Sequence, residues 1–456
     1  MSLTSYFDLS TSARWSGHAV GIVRVERELA RRAALSADMG FCVYDRAERC
    51  FKQIDPKAVA PILAGEITVS FDLPAEELPA PPESWRFRAR EAVLRHPRLY
   101  QAVQRVRGRR FSLSEIAEVR RYEAEARSAP KPKSTIVPLA EVVIGKVALD
   151  ADTRIISGGL DWEYKDLRTI YELKKVHGFS YAAIVYDLIP QMMPQFVVPS
   201  YVNLLKDYFG ELFWVADACM CISESTRRDM MRYCEQFGIP APRSDAFPLG
   251  CDVVSAKPGS GEAEPPAELP PELEGKRYAL FVSTIEPRKN HRTLYQAWTR
   301  AMDEGRLDPA RDRLVFVGRS GWAVGDLIQE MDANPVAQET IVRLSNISDA
   351  ELDLLYKHAA LGLFPSFYEG YGLPLAEMLG HGKACLSSRS GSLEEVGGDL
   401  VEYIDPLDTL GWSDAIVRMF NDKTARTALE RRVAKTHKPV TWDAAADLFF
   451  ARLKDL

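Results

Sequence analysis

The 456-residue sequence has no apolar run long enough to span a bilayer, which takes about 20 apolar residues. Its opening stretch, MSLTSYFDLSTSARW, lacks the basic start and apolar middle of a secretory signal. Together these absences predict a cytoplasmic protein, at most peripheral at the inner face of the plasma membrane. An excess of positive charge is also missing. The 58 Lys and Arg against 64 Asp and Glu leave a net charge of -6, which excludes nucleic acid as a partner of the chain as a whole. The seven histidines are scattered, with no H-E-x-x-H or other metal spacing. Asp150-Ala-Asp152 reads as a turn before a strand, not as a carboxylate pair for a divalent ion. No metal site is therefore expected. The seven cysteines form no compact framework, which suits reduced thiols. Cys219 and Cys221, inside ACMCI, fall on one side of a strand and are expected to be buried.

Hydrophobic residues make up 46% and charged residues 27%, a normal globular balance. At this length two or more domains are expected. The second half alternates short apolar runs with helical patterns. YALFVS (278–283), RLVFVG (313–318), IVRL (341–344) and LGLFPS (361–366) read as buried strands. Leu294, Ala297, Trp298, Ala301 and Met302 share one helical face. Ser348 and Glu351 form a capping box, and PLAEMLGHG reads as a helix beginning at Pro374. Such alternation implies an α/β fold with parallel sheets covered by helices on both faces.

The first half repeats the theme. GIVRVERELARRA (21–33) is helical, TRIISG, YAAIVY and ACMCIS are strands, and Ser223 and Gly238 bound another helix. KPGSGEAEPPAELPPELEGK (257–276) has the composition of a linker. The expected organisation is an N-terminal domain over 1–256, a C-terminal domain over 277–438, and a last helix over 439–456. An insertion over 74–133 interrupts the first domain. Within it, residues 86–110 carry nine Arg against one acid, Glu91, a local charge of +8 that leaves the rest at -14 (-6 minus 8). Two readings stay open. The segment attracts an anionic membrane surface or a pyrophosphate-bearing acceptor, or it is a solvated helical hairpin paired with acids elsewhere.

The chemistry concentrates in FPSFYEGYGLPLAEMLGHGKACLSS (364–388). A strand ends at Phe364, a polar glycine-rich loop follows, and a helix starts at Pro374. Open α/β sheets bind ligands at the carboxyl ends of their strands. Gly370 and Gly372 let backbone N–H groups approach an anion, and the helix N-terminus favours phosphate. Glu369 sits in the loop and Glu377 in the first helical turn, with seven residues between them. Upstream, Arg288 and Lys289 in STIEPRKNHRTL lie between a strand and a helix, placed for a diphosphate.

EGYGLPLAE resembles the E-x7-E signature of retaining glycosyltransferases of family 4. Their fold is GT-B, two facing Rossmann-like domains with the site in the cleft. The resemblance implies that Glu369 contacts donor-sugar hydroxyls and that Glu377 holds the ribose. It implies that Gly370, Tyr371, Gly372 and Leu373 offer backbone amides to the donor, and that Arg288 and Lys289 neutralise the leaving diphosphate. Gly318, Leu344 and Asn346 fall at donor-side strand ends, with the base held by backbone around 344–347. Many members carry a further Arg where this chain has Thr284. SGHAVGIVRVERELARR (16–32) is similar to the family's N-terminal glycine loop, which puts Gly21 near the diphosphate or acceptor, with Arg24 close by. In YDLIPQMMP (186–194), Tyr186 stands where many members have His, so no catalytic His is transferred. Asp187 is taken as facing the cleft, with a turn-forming Asp as the alternative. FPLGCDV (247–253) matches the hinge entry, with Gly250 and Asp252.

Within the family, TIEPRKN, the ELDLLY helix, FPSFYEGYGLPLAE and SGSLEEVGG most resemble mannosyltransferases of bacterial O-antigen and capsule assembly. That implies transfer of a hexose, mannose from GDP-mannose first, to a glycan or lipid-linked acceptor. The family implies retention by front-face attack, without a metal or other cofactor for the chemistry. A GT-B epimerase or hydrolase, and a non-catalytic sugar-nucleotide-binding assembly protein, remain as alternatives.

Overall fold

The computed structural model describes residues 4–16, 21–71, 134–251 and 268–456. The whole 74–133 insertion, with its basic segment 86–110, lies outside the described residues, as do Asp252 and linker residues 257–267. Among the described residues no helix is long and apolar enough to cross a membrane.

The strands are β1 (Thr4–Asp8), β2 (Met39–Asp45), β3 (Cys50–Ile54), β4 (Ile67–Ser70), β5 (Thr135–Pro138), β6 (Val143–Lys146), β7 (Thr153–Ser157), β8 (Ser180–Val185), β9 (Ala218–Cys221) and β10 (Arg243–Ala246), then β11 (Arg277–Val282), β12 (Asp312–Val317), β13 (Ile341–Leu344), β14 (Leu361–Phe364), β15 (Cys385–Ser387) and β16 (Glu402–Tyr403). The helices that shape the cleft are α1 (Ile22–Ala33), α2 (Pro199–Val215), α3 (Glu224–Phe237), α4 (His291–Asp303), α5 (Asp349–His358), α6 (Leu373–Gly380) and α7 (Trp442–Asp455).

Two sheets result. The first runs β10-β9-β8-β7-β1-β2-β3-β6, parallel from β10 to β2 and antiparallel where β3 pairs with β2 and β6. The second is wholly parallel in the order β13-β12-β11-β14-β15-β16. That is the doubly wound order, in which the chain reverses direction between the first strand and the fourth, and a crevice opens outside the carboxyl ends there. Here the reversal lies between β11 and β14. In the first sheet it lies between β1 and β7.

The local signals act as expected. Glu351 N–H donates to Ser348 Oγ at 3.2 Å and Ser348 N–H to Glu351 Oε2 at 2.8 Å, closing the capping box of α5. On α4, Leu294, Ala297, Trp298 and Ala301 are fully buried, and Met302 nearly so. Cys219 and Cys221 are buried free thiols in one core cluster.

The last helix does not pack on the domain that precedes it. Trp442, Ala446, Phe449 and Leu453 of α7 enter the first sheet's core beside Phe7, Val25, Leu29 and Phe247. Fully burying side chains of this size stabilises by roughly 1.5–3 kcal/mol each, enough to hold the crossing. Arg32 of α1 donates from Nε (2.6 Å) and Nη2 (2.9 Å) to Asp447. Gly250 lies under the start of α7, where a Cβ would come within 2.5 Å of Trp442 Cα.

That contact sets the first prediction. Gly250→Ala must push α7 away and should destabilise by about 1–3 kcal/mol. Gly210→Ala, inside α2 with nothing within 4 Å of the new Cβ, should instead stabilise by about 0.5–1 kcal/mol. Urea unfolding of both variants checks the pair; equal shifts would mean that α7 is not held against Gly250.

Candidate active site

The loop after β11 carries two cations over the loop after β14. Pro287–Lys289 make one 3-10 turn, and Asn290 follows in the left-handed region at φ 61°. The Asn290 side-chain amide donates to Pro365 O (3.1 Å) and Pro406 O (2.8 Å), tying the two loops together. Arg288 then donates from Nη1 to Glu369 Oε2 (3.0 Å) and Tyr368 O (2.5 Å), and from Nη2 to Glu286 Oε1 (2.6 Å). Lys289 Nζ donates to both Glu369 oxygens, at 2.6 and 2.8 Å. Ser366 Oγ adds a bond to Glu369 Oε1 at 2.6 Å.

Glu369 is only 8% exposed. Burial pushes its carboxyl up, but Lys289 and Arg288 outweigh burial and hold it down at about 2. Glu286 goes the other way. Burial raises it, and Arg288 and Lys289 offset that only in part.

α6 begins at Leu373, one residue before the expected Pro374, with Gly372 as its cap at φ 94°. Glu377 is therefore the fifth helical residue and stands beyond the first turn, where the sequence had placed it. Its carboxylate is held by partners on α5 and on the other domain. Tyr356 OH donates to Glu377 Oε2 at 2.8 Å, and Arg24 Nη1 reaches across from α1 to Oε1 at 3.2 Å. Burial raises the Glu377 carboxyl, opposed by Arg24 and the Tyr356 hydroxyl.

On the facing side, Asp187 follows β8. Its Oδ1 accepts from Ile189 N–H at 3.0 Å, a turn-forming bond. The same side chain lies against Gly370 across the cleft. Asp187 thus makes a turn-forming bond and also lies at the contact between the two domains. Burial raises its carboxyl, with Arg288 opposing. Tyr186 turns inward, its hydroxyl donating to Gly158 O.

Gly370 has a further reason to lack a side chain. A Cβ there would come within 2.8 Å of Tyr186 O and 3.0 Å of Asp187 Cβ. The missing side chain admits the opposite domain. Ser223 Oγ donates to Gly370 O at 2.7 Å while also accepting the capping bond from Thr226 N–H. Tyr371 and Leu373 pack on the N-terminal core, and Tyr371 OH donates to Leu249 O at 3.1 Å.

The other expected positions separate into two groups. Gly318, with its φ of 152°, is a glycine because a Cβ would overlap Ser283 O. Its N–H donates to Leu344 O at 2.9 Å, and Asn346 follows at φ 58°. These three sit at the ends of β12 and β13. Nearby Asp349 pushes the Glu377 carboxyl up. Gly21 caps α1 at φ 54° with open space around it. A surface groove of about 700 Å³ beside Trp214 and Phe237 is lined by none of these residues. Among the described residues no group of His, Cys, Asp or Glu is arranged to hold a metal ion.

Sequence reasoning missed Glu286, Tyr356, Ser366 and Glu26. Glu286 stood inside a motif already singled out, and Tyr356 on a helix read only for its cap. Glu26 is 1% exposed at the reversal point of the first sheet. It accepts from Ser12 N–H at 2.6 Å and packs so closely on Gly159 that any Cβ there would collide with it and with Thr11. Burial raises its carboxyl from 4.5 to about 8, with Ser12 opposing.

Comparison with known proteins follows this geometry. Residues 268–436 match the family model for glycosyl transferases group 1. The O-antigen chain mannosyltransferase B of Escherichia coli is 29% identical over 258 residues, covering 57% of this chain and 66% of that protein. The serotype-specific mannosyltransferase WbdA of Escherichia coli is 26% identical over 219 residues, 47% of this chain and 26% of that one. The chain thus spans a quarter to just under two thirds of the length of these relatives. Among solved structures, Anabaena HepE in complex with UDP and glucose aligns over 100% of both chains at TM-score 0.56 and 12% identity. Sucrose-phosphate synthase from Thermosynechococcus elongatus aligns over 99% of this chain and 98% of its own at 0.55 and 16%. At such identities the likeness shows the fold alone, and the fold is GT-B. The chain resembles bacterial O-antigen mannosyltransferases.

Glu26 supplies a test in pH. Its folded-state value lies above its ordinary one, so its contribution is fully present below pH 4.5 and is lost as pH rises toward 8. Glu26→Gln keeps an acceptor for Ser12 and removes the titration. The variant should match the parent protein at pH 5 and exceed it by about 2–4 kcal/mol at pH 9. Urea midpoints at pH 5, 7 and 9 measure this; parallel curves would show that Glu26 is ionised in the fold.

Proposed function

We propose that the chain is a retaining hexosyltransferase. It moves a sugar, in the first instance mannose from GDP-mannose, onto a hydroxyl of a glycan or lipid-linked acceptor. The observation that carries this reading is the buried Lys289–Glu369 pair at the β11/β14 reversal, with Asp187 of the facing domain against the same loop. A carboxylate held ionised there only accepts hydrogen bonds, so it suits sugar hydroxyls. Lys289 is a mobile point charge next to it, free to follow a phosphate.

In the proposed reaction the donor's ribose lies toward Glu377 and its sugar toward Glu369. The diphosphate meets the amide end of α6 and draws Lys289 toward itself. Arg288 stays bound to Glu286, Glu369 and Tyr368 O and keeps Glu369 in place. Charge building on the leaving diphosphate is met by these cations and amides. The acceptor hydroxyl attacks from the face the diphosphate leaves, and its proton passes to the departing phosphate. Contacts from Ser223 and Thr226 to Gly370 close the cleft and limit hydrolysis. The mannosyl relatives support the choice of sugar, and anionic lipid is the proposed partner of residues 86–110.

A panel of nucleotide sugars with a synthetic mannoside acceptor tests the reading. The expected product is a glycoside with the donor's anomeric configuration, assigned by NMR. Nucleotide release without a glycoside would identify a hydrolase, and no binding of any donor would sink the enzyme reading. Lys289→Ala should weaken nucleoside-diphosphate binding about 10–100-fold, the scale of a lost charge-assisted bond. Glu369→Ala should lower turnover at least about tenfold with nucleotide affinity largely kept, since its role is orientation; full activity would remove Glu369 from the mechanism.

A further inference from the structure

We infer that Arg24 is a transferable cation: it neutralises Glu377 in this structure and moves onto the donor's diphosphate when ribose hydroxyls take that carboxylate. The inference rests on the donor-site reading above and adds a residue to it from the facing domain.

The first observation is where Arg24 stands. It is the third residue of α1, directly after Gly21. Helix stability does not favour a cation there, because the amide end of a helix carries positive charge. Its side chain spans the cleft to Glu377, 353 positions away in sequence, at 3.2 Å, and lies 5.6 Å over the Trp442 ring of α7.

The second is how Glu377 is shared. Its two oxygens have different partners. Oε2 takes the hydroxyl of Tyr356, a residue 3% exposed in the C-terminal core. Oε1 takes Arg24, whose side chain is 27% exposed. A vicinal diol binds a carboxylate through both oxygens. The partner it can displace is the one from the cleft side, Arg24, whereas Tyr356 stays and orients the carboxylate.

The third is what Arg24 meets on leaving. Tyr371 and Leu373 pack on the same core cluster as Val25 and Trp442. Arg24 itself already touches α6 at Glu377, four residues along from Leu373 at the amide end, where the proposed diphosphate sits. A short swing of the guanidinium trades one anion for another, and the planar fork matches phosphate oxygens. Ribose recognition would thus deliver positive charge to the leaving group and draw the N-terminal domain in.

A cation that competes with ribose but serves phosphate makes the two halves of a nucleotide respond in opposite directions. Guanosine and GDP, and in parallel uridine and UDP, are titrated by ligand-observed NMR and calorimetry against the full chain and its Arg24→Ala and Glu377→Gln variants. Arg24→Ala should bind the nucleoside about threefold more tightly, the scale of a lost exposed ion pair. It should bind the matching diphosphate at least about tenfold more weakly. Glu377→Gln should weaken both. If Arg24→Ala shifts nucleoside and diphosphate in the same direction, or leaves the diphosphate unchanged, Arg24 is a fixed strut and the inference is overturned. If the parent protein binds neither diphosphate, the donor-site reading falls first. Near-UV circular dichroism and melting confirm that each variant is folded.

Discussion

Two carboxylates buried within one loop and one helix impose the main constraint on the cleft. Removing an ionised carboxylate from water costs several kcal/mol unless a cation and hydrogen bonds accompany it. Glu369 meets the demand inside its own domain, with Lys289, Arg288 and Ser366. Glu377 meets it across the cleft, with Arg24, and from behind with Tyr356. The outcomes differ in sign. The double cation holds Glu369 far below its ordinary range, while the single partly exposed one leaves Glu377 above it. In the proposed reaction the more firmly charged residue faces the sugar and the less firmly charged one faces the neutral diol.

The same loop also sets how the domains meet. Gly370 is placed so that Tyr186 and Asp187 rest on it, and Ser223 binds its carbonyl. Glu395 of the C-terminal domain accepts from the N–H groups of Glu224 (2.9 Å) and Ser225 (2.5 Å), capping α3 from outside its own domain. Phe196 and Phe367 stack at 4.9 Å across the cleft. The geometry of the proposed donor site and the meeting of the domains therefore share one set of contacts. A ligand that moves the 366–372 loop also moves the facing domain, because that loop is the contact surface.

Much of this was legible in the chain's local patterns. The wholly parallel sheet followed from short apolar runs alternating with helical faces. The Glu369 loop followed from strand, glycines and helix in succession, and the flanking cations from their place after a strand. What was hidden depends on long-range placement. Nothing near Arg24 points to Glu377, and the periodicity of α5 marks Tyr356 only as one more aromatic on a helix. Gly370 was read for an anion because a glycine's backbone freedom is visible in sequence, whereas the domain that presses on it is not. The turn-forming bond of Asp187 could be read from its place after a strand, whereas its packing on Gly370 could not. The position of Glu377 slipped because one extra residue of helix before Pro374 moves it past the first turn.

Arg288 and Lys289 are neighbours in sequence and differ in what they are free to do. Arg288 has acceptors on both terminal nitrogens, from Glu286, Glu369 and Tyr368. Releasing it would leave Glu286 buried without its cation. Lys289 spends its charge on Glu369 alone among its hydrogen bonds, and Glu369 retains Arg288 and Ser366 if Lys289 leaves. Lys289 is thus the cation of its own loop that a phosphate can recruit at small cost. Thr284, exposed at the end of β11, brings no charge to help it. In the proposed reaction one lysine against a diphosphate leaves charge unmet, and Arg24, which reaches Glu377 across the cleft, is a further cation with a displaceable partner. The demand on the facing domain for a cation therefore follows from the immobility of Arg288 as much as from the position of Arg24.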